Sequence, residues 1–283
     1  MHSLCYTEYV SGYFLEILRT YTLYIIPAFV LGVFLAFGIE KFLHPQSLKK
    51  ILRRVTLEEE FLVHALGMIS PLSIMSLLPM ARELVNAGVN PTLLFSFFMA
   101  ERAYDLQSFA IISSLFGIKF AVLNAAAIFI SLTASSLFIR NHPVKFKKTN
   151  QARHKPFAER QLRLLGIVMT GILLGALLRT LFPQYIIEKI AGGFGSGIFS
   201  ALLFGFIAYF GPILANYPIA KALSDLGMSD SGTFVFLTVS PLLNFIVILL
   251  LGATAGFRRT IKAITVYSVI ATTISIAFSG FLL

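Results

Sequence analysis

The sequence predicts an all-α integral membrane protein built from two inverted repeats, each with three transmembrane helices plus one re-entrant or broken helical segment. Three observations lead there. Of 283 residues, 57% are hydrophobic and only 13% charged, with a mean hydropathy of +0.83. A soluble domain of this size has too little interior to hide that much apolar surface, which excludes a soluble globular enzyme as well as a disordered or fibrous chain. Apolar stretches of about 20 residues, the length that crosses ~30 Å of hydrocarbon, follow one another with short connections. Finally, the second half of the chain repeats the first.

The apolar stretches fall at about 14–38, 61–80, 92–116, 120–139, 162–182, 196–219, 233–252 and 261–283. All read as helical, because backbone polar groups in lipid must be satisfied within the segment. Between the first two, Pro45 to Arg54 reads as an amphipathic interfacial helix. The organisation is a first membrane repeat at 1–140, a basic linker at 141–161 and a second membrane repeat at 162–283. The single cysteine, Cys5, excludes an internal disulfide, a CxxC redox pair and a thiolate metal cluster. Met1 to Leu4 carries no Lys or Arg, so the first span is expected to direct insertion and to be retained.

The repeat has an offset of 139 residues. Pro79-Met80-Ala81-Arg82-Glu83-Leu84-Val85-Asn86-Ala87-Gly88 aligns with Pro218-Ile219-Ala220-Lys221-Ala222-Leu223-Ser224-Asp225-Leu226-Gly227, Phe95 with Phe234, Phe97 with Phe236, and Asp105 with Asn244. The net charge of +10 is gathered in clusters at 41–54, 140–163 and 258–262. Clusters beside apolar spans mark cytoplasmic loops and attract anionic lipid heads, rather than marking a nucleic-acid face. Three crossings between successive clusters would place them on opposite sides of the membrane. Parity is restored if 61–80 and 196–219, interrupted by Pro71 and Pro79 and by Pro212 and Pro218, enter and leave on the same side. The alternative is two kinked full spans with one basic loop outside.

Polar groups at membrane depth need a reason. Glu101-Arg102-Ala103-Tyr104-Asp105 is the densest set, and on a continuous helix Glu101 and Asp105 share one face. The set reads as a proton- or cation-coupling site, with Arg102 a possible anion contact, or as a neutralised pair that fixes packing. Ser70, Ser73 and Ser76 in the first interrupted segment, and Asn216 and Tyr217 in the second, are candidate pathway residues, where freed carbonyls could also serve. Ser240 and Asn244, around Pro241, occupy the second-repeat counterpart of the Glu101–Asp105 stretch, so Asp105 and Asn244 are expected to face each other across a pseudo-two-fold axis. His64 reads as an interfacial or packed histidine, and Gly192 to Gly197 as a hinge, since no Lys-Ser/Thr follows it as in a phosphate loop.

Pro71 to Pro79, followed by Ala81-Arg82-Glu83-Leu84 and Gly88, resembles the predicted permease family that includes organoarsenical efflux permeases. In that family a proline-bounded Cys-Ser-Cys-type stretch precedes a helix with a Phe-Leu-Leu-Ala-Ser-Pro-Leu-Leu-Asn-Pro-like pattern. Phe236 to Asn244 is close to that pattern, and Phe97 to Asp105 stands in its place in the first repeat. The family's cysteines correspond here to Ser73, Met75, Pro212 and Leu214, so the resemblance implies a permease without carrying the arsenical substrate over.

The expected function is a secondary-active permease that moves a small solute or ion by alternating access, with its substrate site between the two proline-broken segments and with proton or sodium coupling. A passive channel, or the membrane subunit of a larger assembly, is the alternative. No Walker motif is present. Tyr104-Asp105 resembles half of an intramembrane aspartyl protease pair, but its Gly-x-Gly-Asp partner is absent, as are His-Glu-x-x-His and Gly-x-Ser-Gly. No catalytic residue, cofactor, metal or nucleic-acid partner is expected. Membrane lipids and the transported solute are.

Overall fold

The computed structural model describes residues 2–40, 52, 55–70, 81–139, 144, 146, 156–209 and 212–281. Every regular element among them is helical. The first half holds α1 (His2–Glu40), α2 (Leu57–Ile69), α3 (Ala81–Asn86), α4 (Pro91–Ala103), α5 (Leu106–Phe116) and α6 (Ile118–Ile139). The second holds α7 (Phe157–Leu181), α8 (Gln184–Ala191), α9 (Phe194–Ala208), a 3-10 turn (Ile213–Ala215), α10 (Asn216–Asp225), α11 (Asp230–Val239), α12 (Phe245–Ala255) and α13 (Phe257–Ser279). Four helices are long and apolar enough to span a membrane: Val10–Glu40 within α1, α6, α7 and α13. The pair α8 and α9, bent by 104° at Gly192–Gly193, makes up to a fifth. Leu15, Leu23, Phe34, Ile207 and Val269 are exposed, as side chains facing lipid should be. Tyr21, Phe95, Phe97, Phe98, Phe234 and Tyr267 fill the interior.

Local structure recurs at the offset of the sequence repeat. The helix Leu106–Phe116 returns as Phe245–Ala255. The N-caps Asn90 and Asp105 return as Ser229 and Asn244. Gly88 and Gly117 (φ 95° and 90°) return as Gly227 and Gly256 (φ 98° and 96°), and glycine supplies a left-handed backbone that a Cβ would oppose. The amide of Asn90 donates to Leu52 O at 2.7 Å, and that of Ser229 donates to Ala191 O at 3.0 Å. Each half therefore makes an excursion, 52–90 and 191–229, that closes on its own starting point. In keeping with this, α2 runs parallel to α4: His64 lies with Ser96 on one cavity wall, and a Cβ on Gly67 would sit 2.6 Å from Ala100 Cβ. Likewise α9 runs parallel to α11, with Gly197 on Gly232 and Gly205 on Ser240.

Equivalent helices run antiparallel to one another. Arg160 pairs with Glu40 where α7 begins and α1 ends, while Tyr21 and Arg179, toward their other ends, both reach Asp225. Arg259, near the start of α13, reaches Ile139 O, at the end of α6, at 3.5 Å.

Three sequence expectations need correction. Segments 92–116 and 233–252 are not continuous helices. Asp105 (φ −147°, ψ 174°) and Asn244 (φ −145°, ψ 153°) are extended, and each caps a new helix, so Glu101 and Asp105 do not share a helix face. Pro218 does not break a helix, because it sits in the first turn of α10, where its missing N–H goes unused. The break lies between Ala208 and Ile213, next to Pro212. Pro71, Ser73, Ser76 and Pro79 lie outside the described residues, as do the stretch 45–54 apart from Leu52 and most of the basic linker.

Candidate functional site

The interruptions create the site. A helix that stops in lipid leaves backbone donors and acceptors that must find partners. At the α4–α5 break, Asp105 Oδ1 accepts the Ser108 amide at 2.6 Å and the Ser108 hydroxyl at 2.7 Å. The spacing Asp-x-x-Ser is a capping pattern. Arg102, in the last turn of α4, is buried. Tyr104 turns inward, and its hydroxyl lies 3.5 Å from Ala121 O.

The second half supplies the facing wall. The 3-10 turn and α10 pack against α5, and Tyr209, Asn216 and Tyr217 are all buried. Tyr217, in the first turn of α10, lies near Ser108 and Asp105. Tyr209, whose ring packs on Phe236 at 5.7 Å, lies near Arg102 and Asp105, and its buried hydroxyl has no partner among the described residues. Asn216 Nδ2 donates to Pro212 O at 3.0 Å and to Ile213 O at 3.4 Å, holding the turn that presents Tyr217. Gly171 and Gly175 of α7 let this turn approach: a Cβ on Gly171 would lie 2.5 Å from Ala215 O, and one on Gly175 2.7 Å from Pro218 O. Small residues four apart permit such backbone contact between helices.

Other predicted residues are placed differently. Glu101 sits in the last turn of α4, and Ser70 is the buried C-cap of α2. Asn244 is fully committed to its own turn: Nδ2 donates to Ser240 O at 2.9 Å and Pro241 O at 3.0 Å, while Oδ1 accepts the Val247 amide at 2.9 Å. No hydrogen bond joins it to Asp105. Ser240, packed on Gly205, has a buried hydroxyl without a partner among the described residues. Asn124 was not singled out in the sequence, yet it is wholly buried and donates to Thr238 Oγ1 at 2.9 Å. Ser108 was also missed, although the Asp-x-x-Ser spacing could have flagged it.

The arrangement gathers one carboxylate, one guanidinium and three buried phenols near interrupted helices. Such a set can hold a small polar solute or exchange an ion. Among the described residues no group of three or more His, Cys, Asp or Glu could hold a metal.

No curated protein and no solved structure matches the chain. The family model described as a predicted permease, ArsP_1, matches residues 11–280. The match spans nearly the whole chain, and so the protein is a multi-pass membrane protein that belongs to this predicted permease family.

Proposed function

We propose that the protein is a secondary-active permease that moves a small polar solute or ion by alternating access, with its substrate site at the Asp105–Ser108–Tyr217–Tyr209 cluster. The observation that carries this reading is that a carboxylate at an interrupted span of one half lies near buried phenols from the interrupted excursion of the other. Transporters commonly bind substrate where discontinuous helices of two repeats meet near the bilayer midplane.

In this reading the halves are inverted repeats and the two excursions are re-entrant. The antiparallel course of equivalent helices and the recurring closing hydrogen bonds support both points. The basic segments 41–54, 140–163 and 258–262 then face the cytoplasm of a cell-membrane protein. The halves also differ in packing, as alternating access requires. Helix α2 packs against α6 through Phe61–Phe129, 4.6 Å between centroids, whereas its counterpart α9 makes no comparable contact with α13 and leaves Phe199 exposed. Exchanging the two arrangements would switch which side of the site is open.

Asp105 is assigned to coupling, because a proton or cation can neutralise it during transit. A thermal-shift screen of oxyanions, divalent metals and organoarsenicals on purified protein identifies the solute. Its accumulation in proteoliposomes should follow an imposed proton or sodium gradient and fall to background in Asp105→Asn. Flux that ignores every ion gradient would make the protein a passive channel.

A further inference from the structure

The sequence repeat relates α1 to α7, and the contact between them maps onto itself. At the offset of 139, Glu40 corresponds to Arg179 and Tyr21 to Arg160. Glu40 pairs with Arg160 where α1 ends and α7 begins. At the other end the corresponding residues meet on Asp225: Arg179 Nη1 lies 2.7 Å from Oδ2, to which the Tyr21 hydroxyl donates at 3.2 Å. Exchanging the conformations of the two halves would reproduce this contact, so α1 and α7 need not move against each other.

What α1 and α7 hold does not map onto itself. Both offer small residues at equivalent places, Gly32 and Ala36 on α1, Gly171 and Gly175 on α7. The 3-10 turn and α10 fill the place on α7, whereas Gln107 of α5 fills the one on α1, its Cα 2.7 Å from a Cβ added at Gly32. The corresponding partners stand unused. Ile246 of α12 is 46% exposed where its counterpart Gln107 is 4% exposed. Among the described residues α3, the counterpart of α10, makes no contact with α1 comparable to that of α10 with α7. Arg82, Asn86 and Ala87 are exposed.

Charge is arranged to hold either docking. Asp225, the last residue of α10, takes Arg179 from α7 and Lys221 Nζ, at 2.8 Å, from its own helix. In the first half Asn86 stands for Asp225, Arg82 for Lys221 and Glu40 for Arg179. Each end thus has one carboxylate and two cations, with the carboxylate on the returning helix in one half and on the long helix in the other. Only one end is complete. Glu40 spends Oε1 on Arg160, while its Oε2 is buried without a hydrogen-bond partner, and Arg82 makes no ion pair among the described residues. An unmet carboxylate oxygen is costly to bury, and a guanidinium is its strongest partner.

We propose that α1 and α7 are the fixed frame of the transport cycle, and that Asp225 and Glu40 are its two latches. Asp225 holds α10 on α7 in the state seen here. In the opposite state α10 is released, Ile246 of α12 takes its place at Gly171, and α3 docks on α1 with Arg82 completing Glu40. This assignment rests on the alternating-access reading and names its moving parts.

The test is spin-label distance measurement on the purified full chain in a Cys5→Ser background, without solute or gradient. One label pair, Gly38→Cys with Ala87→Cys, spans the Glu40 latch, and another, Leu181→Cys with Ser224→Cys, spans the Asp225 latch. Asp225→Asn should lengthen the second distance and shorten the first, moving the ratio of states about threefold, as befits a partly exposed ion pair. Lys221→Gln should act in the same direction more weakly, and serves should Asp225→Asn fail to fold. Arg82→Gln should leave both dominant distances unchanged on its own, yet abolish the shortening caused by Asp225→Asn. Lengthening across Asp225 with no change across Glu40, no change at either, or shortening that survives Arg82→Gln would each overturn the proposal. Coupled accumulation without reciprocal distances would sink the latches alone. Reciprocal distances with flux indifferent to every gradient would sink the coupling alone.

Discussion

The two halves share a backbone plan and differ in what they bury. In the first, Glu60 and Arg102 are buried, and the half-buried Asp105 stands at the break between α4 and α5. In the second, the corresponding positions carry Phe199, Pro241 and Asn244. Asp105 and Asn244 have the same backbone conformation and the same capping role, yet their side chains do different things. Asn244 has spent its donor and its acceptor on its own turn. Asp105 needs only Oδ1 for the cap, because a carboxylate has no donor to bind the carbonyls behind it. The lesson is that duplication supplies two equivalent caps, and chemistry can be added to one of them without altering the fold.

The comparison can be broken outright by topology. In a cysteine-free background (Cys5→Ser), Asn86→Cys and Asp230→Cys, both at exposed positions, should label from opposite membrane faces with an impermeant maleimide. Labelling from one face would remove the inversion. Close packing comes next. Gly171→Val must push the 3-10 turn off α7 and should destabilise by roughly 1–3 kcal/mol, read by thermal unfolding in detergent. Gly166→Ala, with nothing within 4 Å of the added atom, should be neutral.

The caps sharpen the contrast. Asp105→Asn retains a good N-cap and should change stability by less than about 0.5 kcal/mol while gradient-driven accumulation is lost. Asn244→Asp sets a carboxylate against two carbonyl oxygens, and should cost about 1–3 kcal/mol. Equal stability losses in the two variants would erase the distinction drawn between them. A modest effect is expected at Tyr267, buried between α13 and α11, whose hydroxyl donates to Thr238 O at 2.8 Å. Tyr267→Phe should lose about 1 kcal/mol in the same unfolding assay.

Much of the architecture was legible in the chain itself. Composition required a membrane, the repeat predicted that structure would recur at one offset, and proline flagged the break next to Pro212. Pro218 shows the limit of that signal: proline breaks a helix in its interior but is welcome in its first turn, and spacing alone does not say which position it holds. The break at Asp105 was missed for a related reason. The surrounding run is apolar enough for a full span, and an aspartate looks the same in sequence whether it lies on a helix face or caps a new helix.

The sequence by itself therefore determined the solvent, the helical class and the duplication, because these follow from apolar content and from residues matched at a fixed interval. Tertiary structure alone decided which polar groups meet. That Asp105 lies near Tyr209 and Tyr217, more than a hundred residues away, depends on helices packing through glycine contacts and bends. Packing is a property of surfaces brought together in three dimensions, and no one-dimensional spacing records it.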